Sequence, residues 1–187
     1  MTVVVRAATR ADARAIAVVR VHTWRAAYAD LIDPVLLDRM DVDREAQVRA
    51  ERWNEYTADP RTTQLVAEID GAVVGWASTG PSRDDGGPDR GELYAIYTLP
   101  SHWSTGVGHA LMIAAEDALV AAGYREASLW VLDGNERAAA FYERRGWRED
   151  GAVKDDARIV GDTGVAPLRE RRRVRTLGDG APSEDGD

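Results

Sequence analysis

Two hydrophobic periods alternate along the chain, and the switches between them mark its elements. Val3–Arg6 reads as a short first strand. Across Ala11–Tyr28, Ile16, Val19, Trp24 and Ala27 recur at helical spacing, with Thr9 as N-cap and Asp12 as an acidic first-turn residue. Asp33-Pro34 is an N-cap and N1 pair that starts a short helix through Met40. Asp43–Tyr56 predicts a further helix with Val48, Trp53 and Tyr56 on its apolar side. Thr63–Ile69 then alternates with period two, Asp70-Gly71 is a hairpin turn signal, and Ala72–Thr79 returns as the partner strand. After the polar loop Gly80–Arg90, expected to be mobile, Glu92–Thr98 is a strand that Pro100 ends, because proline has no N–H for a ladder. From Val107 the helical period resumes in Ala110, Leu111, Ala114, Ala115, Ala118, Leu119 and Ala122, with Gly123 as the C′ residue. Ala127–Leu132 reads as a strand, Asn135–Arg145 as a helix of about three turns, and Trp147–Val153 and Leu168–Arg175 as closing strands.

That order predicts an α+β fold: a mixed, mostly antiparallel central sheet flanked by helices. The long helical crossover from Glu92–Thr98 to Ala127–Leu132 makes those two strands parallel neighbours. Residues 1–175 read as a single domain and Thr176–Asp187 as a disordered tail.

Composition narrows the chemistry. The chain has 187 residues, 44% of them hydrophobic, which is ordinary for one globular domain. It has no cysteine, so disulfides, thiolate zinc sites and a cysteine nucleophile are excluded. His22, His102 and His109 lack metal-ligand spacing, and no metal is expected. Neither a signal peptide nor a membrane-spanning run is visible, so a cytoplasmic protein without a membrane partner is expected. The net charge of −8 favours a cationic partner over nucleic acid. The Arg169–Arg175 run, short and interrupted by Glu170, reads as a solvated strand face rather than a nucleic-acid patch.

Two segments carry chemistry. Ser101–Gly108 links the Glu92–Thr98 strand to a helix through small and hydroxylated residues with Gly106 and Gly108. A helix start leaves N–H groups unpartnered under a positive dipole end, and glycines let a ligand approach the backbone, so this junction suits a diphosphate or another anion. It is not a P-loop, since His109 and Ala110 follow Gly108, nor a dinucleotide fingerprint, which would want a small residue at Leu111. In the second segment, Asn135 and Tyr142 are seven residues apart and share a helix face about two turns long. Both can address one ligand, although Asn135 is also a good cap and Tyr142 a good core residue.

Together these segments resemble the GNAT superfamily of acetyl-CoA-dependent N-acetyltransferases. Its [Gln/Arg]-x-x-Gly-x-[Gly/Ala] loop falls on Trp103-Ser104-Thr105-Gly106-Val107-Gly108. Its Asn-x-x-Ala-x-x-x-Tyr signature falls on Asn135, Ala138 and Tyr142, continuing through Glu143, Arg144, Gly146 and Trp147. The resemblance implies acetyl-CoA as cosubstrate, held by the amides of Ser104–His109 and by Asn135 and Ala138. It implies an oxyanion donor among Ile96, Tyr97 and Thr98, two strands that splay to hold the pantetheine arm, and Tyr142 as general acid. It also implies direct attack by the primary amine of a small molecule or peptide, and it leaves a homodimer open. Trp103 departs from the motif: an indole cannot pair with phosphate, so the backbone and the Ser104 and Thr105 hydroxyls are expected to carry the diphosphate. Glu92 is the candidate base on the central strand, or else it only holds a cation. Trp24 and Tyr28, with Trp53 and Tyr56, are candidate aromatic walls for the amine, at least half of them expected to be core. A non-catalytic acyl-CoA sensor is the alternative function.

Overall fold

The computed structural model describes residues 2–84 and 90–178. The strands are β1 Val4–Ala7, β2 Thr63–Ile69, β3 Ala72–Pro81, β4 Gly91–Thr98, β5 Glu126–Leu132, β6 Arg148–Asp156 and β7 Leu168–Thr176. The helices are α1 Ala13–Ala27, α2 Pro34–Asp38, α3 Val42–Glu51, α4 Trp53–Tyr56, α5 Val107–Ala121 and α6 Glu136–Glu143. All seven strands join one sheet in the order β1-β2-β3-β4-β5-β7-β6. Every neighbouring pair is antiparallel except β4 and β5. The expected mixed, mostly antiparallel sheet is therefore present.

Local chemistry accounts for most of these elements. Asp70 and Gly71 both have positive φ, 51° and 79°, as a two-residue hairpin turn with the right twist requires. At the start of the first helical segment, Asp12 accepts from the Thr9 amide at 2.7 Å and holds the Arg6 guanidinium at 2.8 and 2.9 Å. Arg6 also reaches Glu68 on β2, so one cation ties β1, β2 and the entry to α1 together.

The sheet is covered on both faces. On one, α5 presents Val107, Leu111, Met112, Ala115 and Leu119, all fully buried against β2–β5. Each such large side chain contributes on the order of 1.5–3 kcal/mol. Gly75 on β3 lets α5 come close, since a Cβ there would stand 2.7 Å from Leu111. On the other face, Ile16 and Val19 of α1 lie against Val66 and Trp76, and Trp24 against Leu36, Leu37 and Met40.

Three expectations need correction. The helix expected over Asp43–Tyr56 breaks at Arg52, whose φ and ψ are −95° and 14°. The break turns Trp53 toward the Ile16–Trp76 cluster and leaves Val48 exposed. The arginine run is only in part a solvated face: Arg169 and Arg171 are exposed, but Arg173 is buried on β7, which lies between β5 and β6. Four of its cations are matched by carboxylates: Arg171 by Asp133 at 2.7 Å, Arg172 by Asp150 at 2.8 Å, Arg173 by Glu143 and Glu149 at 3.1 and 3.0 Å, and Arg175 by Glu116 at 2.5 Å. The tail expected from Thr176 starts later, since Thr176 ends β7 and Leu177 is buried in the core. Residues 85–89 of the loop expected to be mobile, and 179–187 of the tail, lie outside the described residues.

One irregularity positions everything that follows. β4 and β5 pair only at Gly91–Ala127, Glu92–Ser128 and Leu93–Leu129. Beyond Leu93, β5 continues with β7 as far as Leu132–Glu170. The β3–β4 register slips at the same point: Thr79 faces Leu93 but Ser78 faces Ala95, so Tyr94 is an extra residue. A bulge bends its strand and sharpens the local twist. β4 thus leaves β5, and a gap opens with the free edge of Ala95–Thr98 along it.

Candidate active site

The gap is part of a continuous cleft of about 1450 Å³. One end lies at the start of α5 and the other among α1, α3 and β3.

At the first end the backbone does the work. Gly106 is the N-cap of α5 with φ 93° and ψ −12°, and no side chain caps the helix. The first-turn amides therefore keep their donors, with the dipole's positive end behind them. Ser104 also has positive φ, 62°. Gly108 is helical, and a Cβ there would meet nothing nearer than 3.7 Å, from Phe141 and Thr98. The chain's own packing does not demand glycine at 108; the bare backbone leaves room in the cleft.

Trp103 fixes this turn. Its indole N–H donates to the Thr98 carbonyl at 2.8 Å, tying the loop to the end of β4. The Arg137 guanidinium lies 3.9 Å from the centre of its ring. Trp103 thus carries no charge but docks one beside the turn. The Thr105 hydroxyl donates to the His102 carbonyl at 2.8 Å, so its proton faces away from the role expected of it. On α6, Asn135 accepts from the Ala138 amide at 3.1 Å, the capping role read from the sequence. Tyr142 is buried on the cleft wall, and burial, reinforced by Tyr97, holds its phenol above the usual tyrosine range.

At the other end, Trp24 meets Tyr28 edge-on at 4.8 Å, and Tyr97 stacks at a tilt 5.8 Å from Trp76. Thr23 on α1 donates to the Thr98 carbonyl at 3.0 Å, joining this wall to the end of β4. Six carboxylate residues line the cleft, Asp41, Glu45, Glu55, Glu92, Asp156 and Glu170, and two of them lie on the strands of its wall nearest the gap, on β4 and β7. Glu92 is 1% exposed, and its oxygens accept from the Arg83 amide at 2.8 Å and its guanidinium at 2.5 Å. Glu170 on β7 lies 3.3 Å from Lys154, and burial pushes its carboxyl above the usual range. Cations also line this end: Arg20, Arg39, Arg44, Arg49 and Arg83. Asp41, Glu45, Glu55 and Glu92 stand among them, so the wall is of mixed charge rather than acidic like the chain as a whole.

The cleft brings together most of the residues singled out from the sequence. Ile96, Tyr97, Thr98, Ser104, Gly106, Gly108, His109, Asn135, Ala138, Tyr142, Trp24, Tyr28 and Glu92 all line it. Thr105 and Val107 do not; the Val107 side chain is fully buried in the core under α5. Trp53 is also off the wall, whereas Tyr56 is on it. Sequence reading missed Arg137, Arg49 and Glu170. Arg137 lies inside the Asn135–Tyr142 segment and could have been flagged once Trp103 was seen to lack charge. Arg49 and Glu170 come from distant elements and carry no local signal. Among the described residues no cluster of His, Asp and Glu could hold a metal ion, and no helix is long and apolar enough to cross a membrane.

The model of the acetyltransferase (GNAT) family matches residues 24–147, from Trp24 on α1 to the end of the Asn135 segment. The chain belongs to the GNAT acetyltransferase family. The uncharacterized N-acetyltransferase YuaI of Bacillus subtilis is 29% identical over 159 residues, covering 85% of this chain and 87% of its own length. The mycothiol acetyltransferase of Acidimicrobium ferrooxidans is 37% identical over 123 residues, 66% of this chain but only 38% of that larger protein. Among solved structures, the PaiA N-acetyltransferase of Thermoplasma acidophilum, crystallised with coenzyme A, aligns with a TM-score of 0.72 at 16% identity. That alignment covers 95% of this chain and 100% of the other, and it shows that the two share the GNAT fold.

Proposed function

We propose that this GNAT protein transfers the acetyl group of acetyl-CoA to a primary amine, by direct attack while both are bound. The observation that carries this reading is the coincidence, in one cleft, of the β4–β5 gap, the uncapped start of α5 and the Tyr142 phenol. The residues present fit the cosubstrate: amides free to donate, space over Gly108 and a cation on Arg137 suit a diphosphate, and the gap suits an extended arm. Acetyl-CoA supplies an activated acyl group as a thioester.

The chain's residues divide the remaining tasks. Backbone N–H groups of Ile96–Thr98, on the free edge of β4, stabilise the negative charge that develops on the carbonyl oxygen. Tyr142 donates a proton to the departing sulfur; its raised pKa keeps the phenol protonated at neutral pH. The amine must arrive neutral, and a carboxylate takes its proton directly or through water. Glu92 is one candidate. Glu170 is the better supported, because Arg83 already holds both Glu92 oxygens while Glu170 is more open and burial raises its carboxyl above the usual range. Trp24 and Tyr28 form the aromatic wall on the amine's side.

A thiol-release assay over a panel of amines tests the reading. Tyr142→Phe should lower kcat by roughly 10²–10⁴-fold, the usual contribution of a positioned acid. If acetyl-CoA binds and no amine releases thiol, the protein is a sensor of acyl-CoA rather than an enzyme. If Tyr142→Phe leaves kcat intact, the proton comes from elsewhere.

A further inference from the structure

At the amine-binding end of the cleft one partly buried cation, Arg49, has no carboxylate partner among the described residues. Arg49 is on α3, lines the cleft, and lies flat on Trp76, its guanidinium carbon 4.3 Å from the ring centre. The Tyr56 ring is 5.7 Å away on another side. Among the described residues no carboxylate lies within ion-pairing distance of it, and its buried Nε has no hydrogen-bond partner. Glu45, one turn earlier on α3, accepts instead from Arg20 at 2.6 Å. Burial and the repulsion of Arg20 both disfavour the positive charge on Arg49, and Glu45 offsets them only in part. A half-buried cation in that position is costly unless something anionic meets it. Arg83, Lys154 and Arg158 around the cleft are matched by Glu92, Glu170 and Asp156, and Arg39 and Arg44, which have no such partner among the described residues, are exposed to water where Arg49 is not.

Arg49 is also well placed to read an acceptor. Trp76, which it covers, is separated from Tyr97 on β4 by one ring contact of 5.8 Å. The free edge of β4 is where acyl transfer would occur. A molecule with an amine at that edge and an anion a few bonds away could reach the guanidinium fork. Guanidinium pairs with carboxylate or phosphonate oxygens through two parallel N–H donors, which gives direction as well as strength.

We propose that the acceptor is an amino acid-like molecule, an amine that also carries an anionic group, and that Arg49 is the residue that selects it. The proposal rests on the acetyl-transfer reading above for the amine, but the anion site stands on its own geometry.

The test uses three matched series of primary amines: glycine, β-alanine, γ-aminobutyrate and ε-aminocaproate, their carboxamides, and the corresponding aminoalkylphosphonates. For at least one chain length the acid should exceed its carboxamide in kcat/KM by tenfold or more. Arg49→Gln should bring that ratio within threefold of unity, and Arg49→Lys, which keeps the charge but loses the fork, should restore part of it. A purely structural role for Arg49 would lower both members of a pair and leave their ratio unchanged. The phosphonate arm tells which anion fits the fork better. A wild-type ratio near one at every length, or a ratio that Arg49→Gln leaves intact, overturns the proposal. Should no amine be acetylated, the transfer reading fails separately. Ligand-detected NMR on the acetyl-CoA complex then decides: tighter binding of an acid than its amide, lost in Arg49→Gln, upholds the anion site, and equal or absent binding refutes it.

Discussion

Replacing Gly108 with alanine should make this protein more stable and leave its cosubstrate site open, whereas valine there should block it. Gly108 is the second residue of α5 and has ordinary helical conformation. The added methyl of alanine would meet Phe141 and Thr98 at 3.7 Å, which is van der Waals contact without strain. In a helix, alanine is more favourable than glycine by about 0.5–1 kcal/mol, chiefly through the entropy of the unfolded chain. For a chain of this size that gain raises the melting temperature by about 1–4 °C. The family loop takes glycine or alanine at this position, so affinity for acetyl-CoA should stay within about threefold in Gly108→Ala. The two further methyls of Gly108→Val reach into the cleft, where a phosphate oxygen would approach the first-turn amides to about 2.9 Å. They would push the phosphates back, and a tenfold or greater loss of affinity, about 1.4 kcal/mol or more, is expected. Scanning calorimetry of the free proteins and titration calorimetry with acetyl-CoA measure the two effects separately. A folded valine variant with unchanged affinity would show that no phosphate comes near this turn, and the reading of the helix start as the cosubstrate site would be wrong. A destabilised alanine variant would instead refute the packing argument for residue 108.

Two further predictions concern single charges. Arg137→Gln removes the cation that Trp103 docks beside the α5 start, so the Kd for coenzyme A should rise by about 10–100-fold, as for a lost charge-assisted hydrogen bond. Pantetheine, which lacks the phosphates, is the control in titration calorimetry; a parallel loss for both ligands would remove the electrostatic explanation. Asp12 is held at about 2 by the Arg6 guanidinium, opposed by burial and aided by Thr9, so its stabilising effect is present above the ordinary aspartate range and disappears as pH falls toward about 2. Allowing for the part-exposed Arg6, Asp12→Asn should cost about 1–2 kcal/mol at pH 7 in urea denaturation and nothing near pH 2. An equal cost at both values would mean that the ion pair is not the source.

Much of this molecule is legible from residue patterns, because much of it is decided within a turn or a strand's length. The Asp70-Gly71 hairpin needs two left-handed residues and has them. The α5 stripe buries itself on whatever sheet lies beneath it. The Trp103–Gly108 loop and the Asn135–Tyr142 helix carry their motifs in fixed local spacing, so the family could be read directly, and both segments line one cleft. The break at Arg52 could not, because it depends on where the Ile16–Trp76 cluster lies when Trp53 arrives. The burial of Arg173 within the arginine run could not be read for a related reason: it depends on Glu143 and Glu149 from α6 and β6, and β7 inserts between β5 and β6 although β6 precedes it in sequence.

The amino-acid order by itself determined the element types, the parallel pairing of β4 with β5 and the unpartnered amides at the start of α5, since each follows from propensity, connection length or backbone geometry over a few neighbouring residues. Only the tertiary structure decided where β4 leaves β5, that Arg137 lies on Trp103, that Arg83 holds Glu92, and that Arg49 faces the cleft without a carboxylate of its own. Those facts depend on charges and registers contributed by segments far apart in the chain, and electrostatic balance at a point in space is a sum that no single stretch of sequence contains.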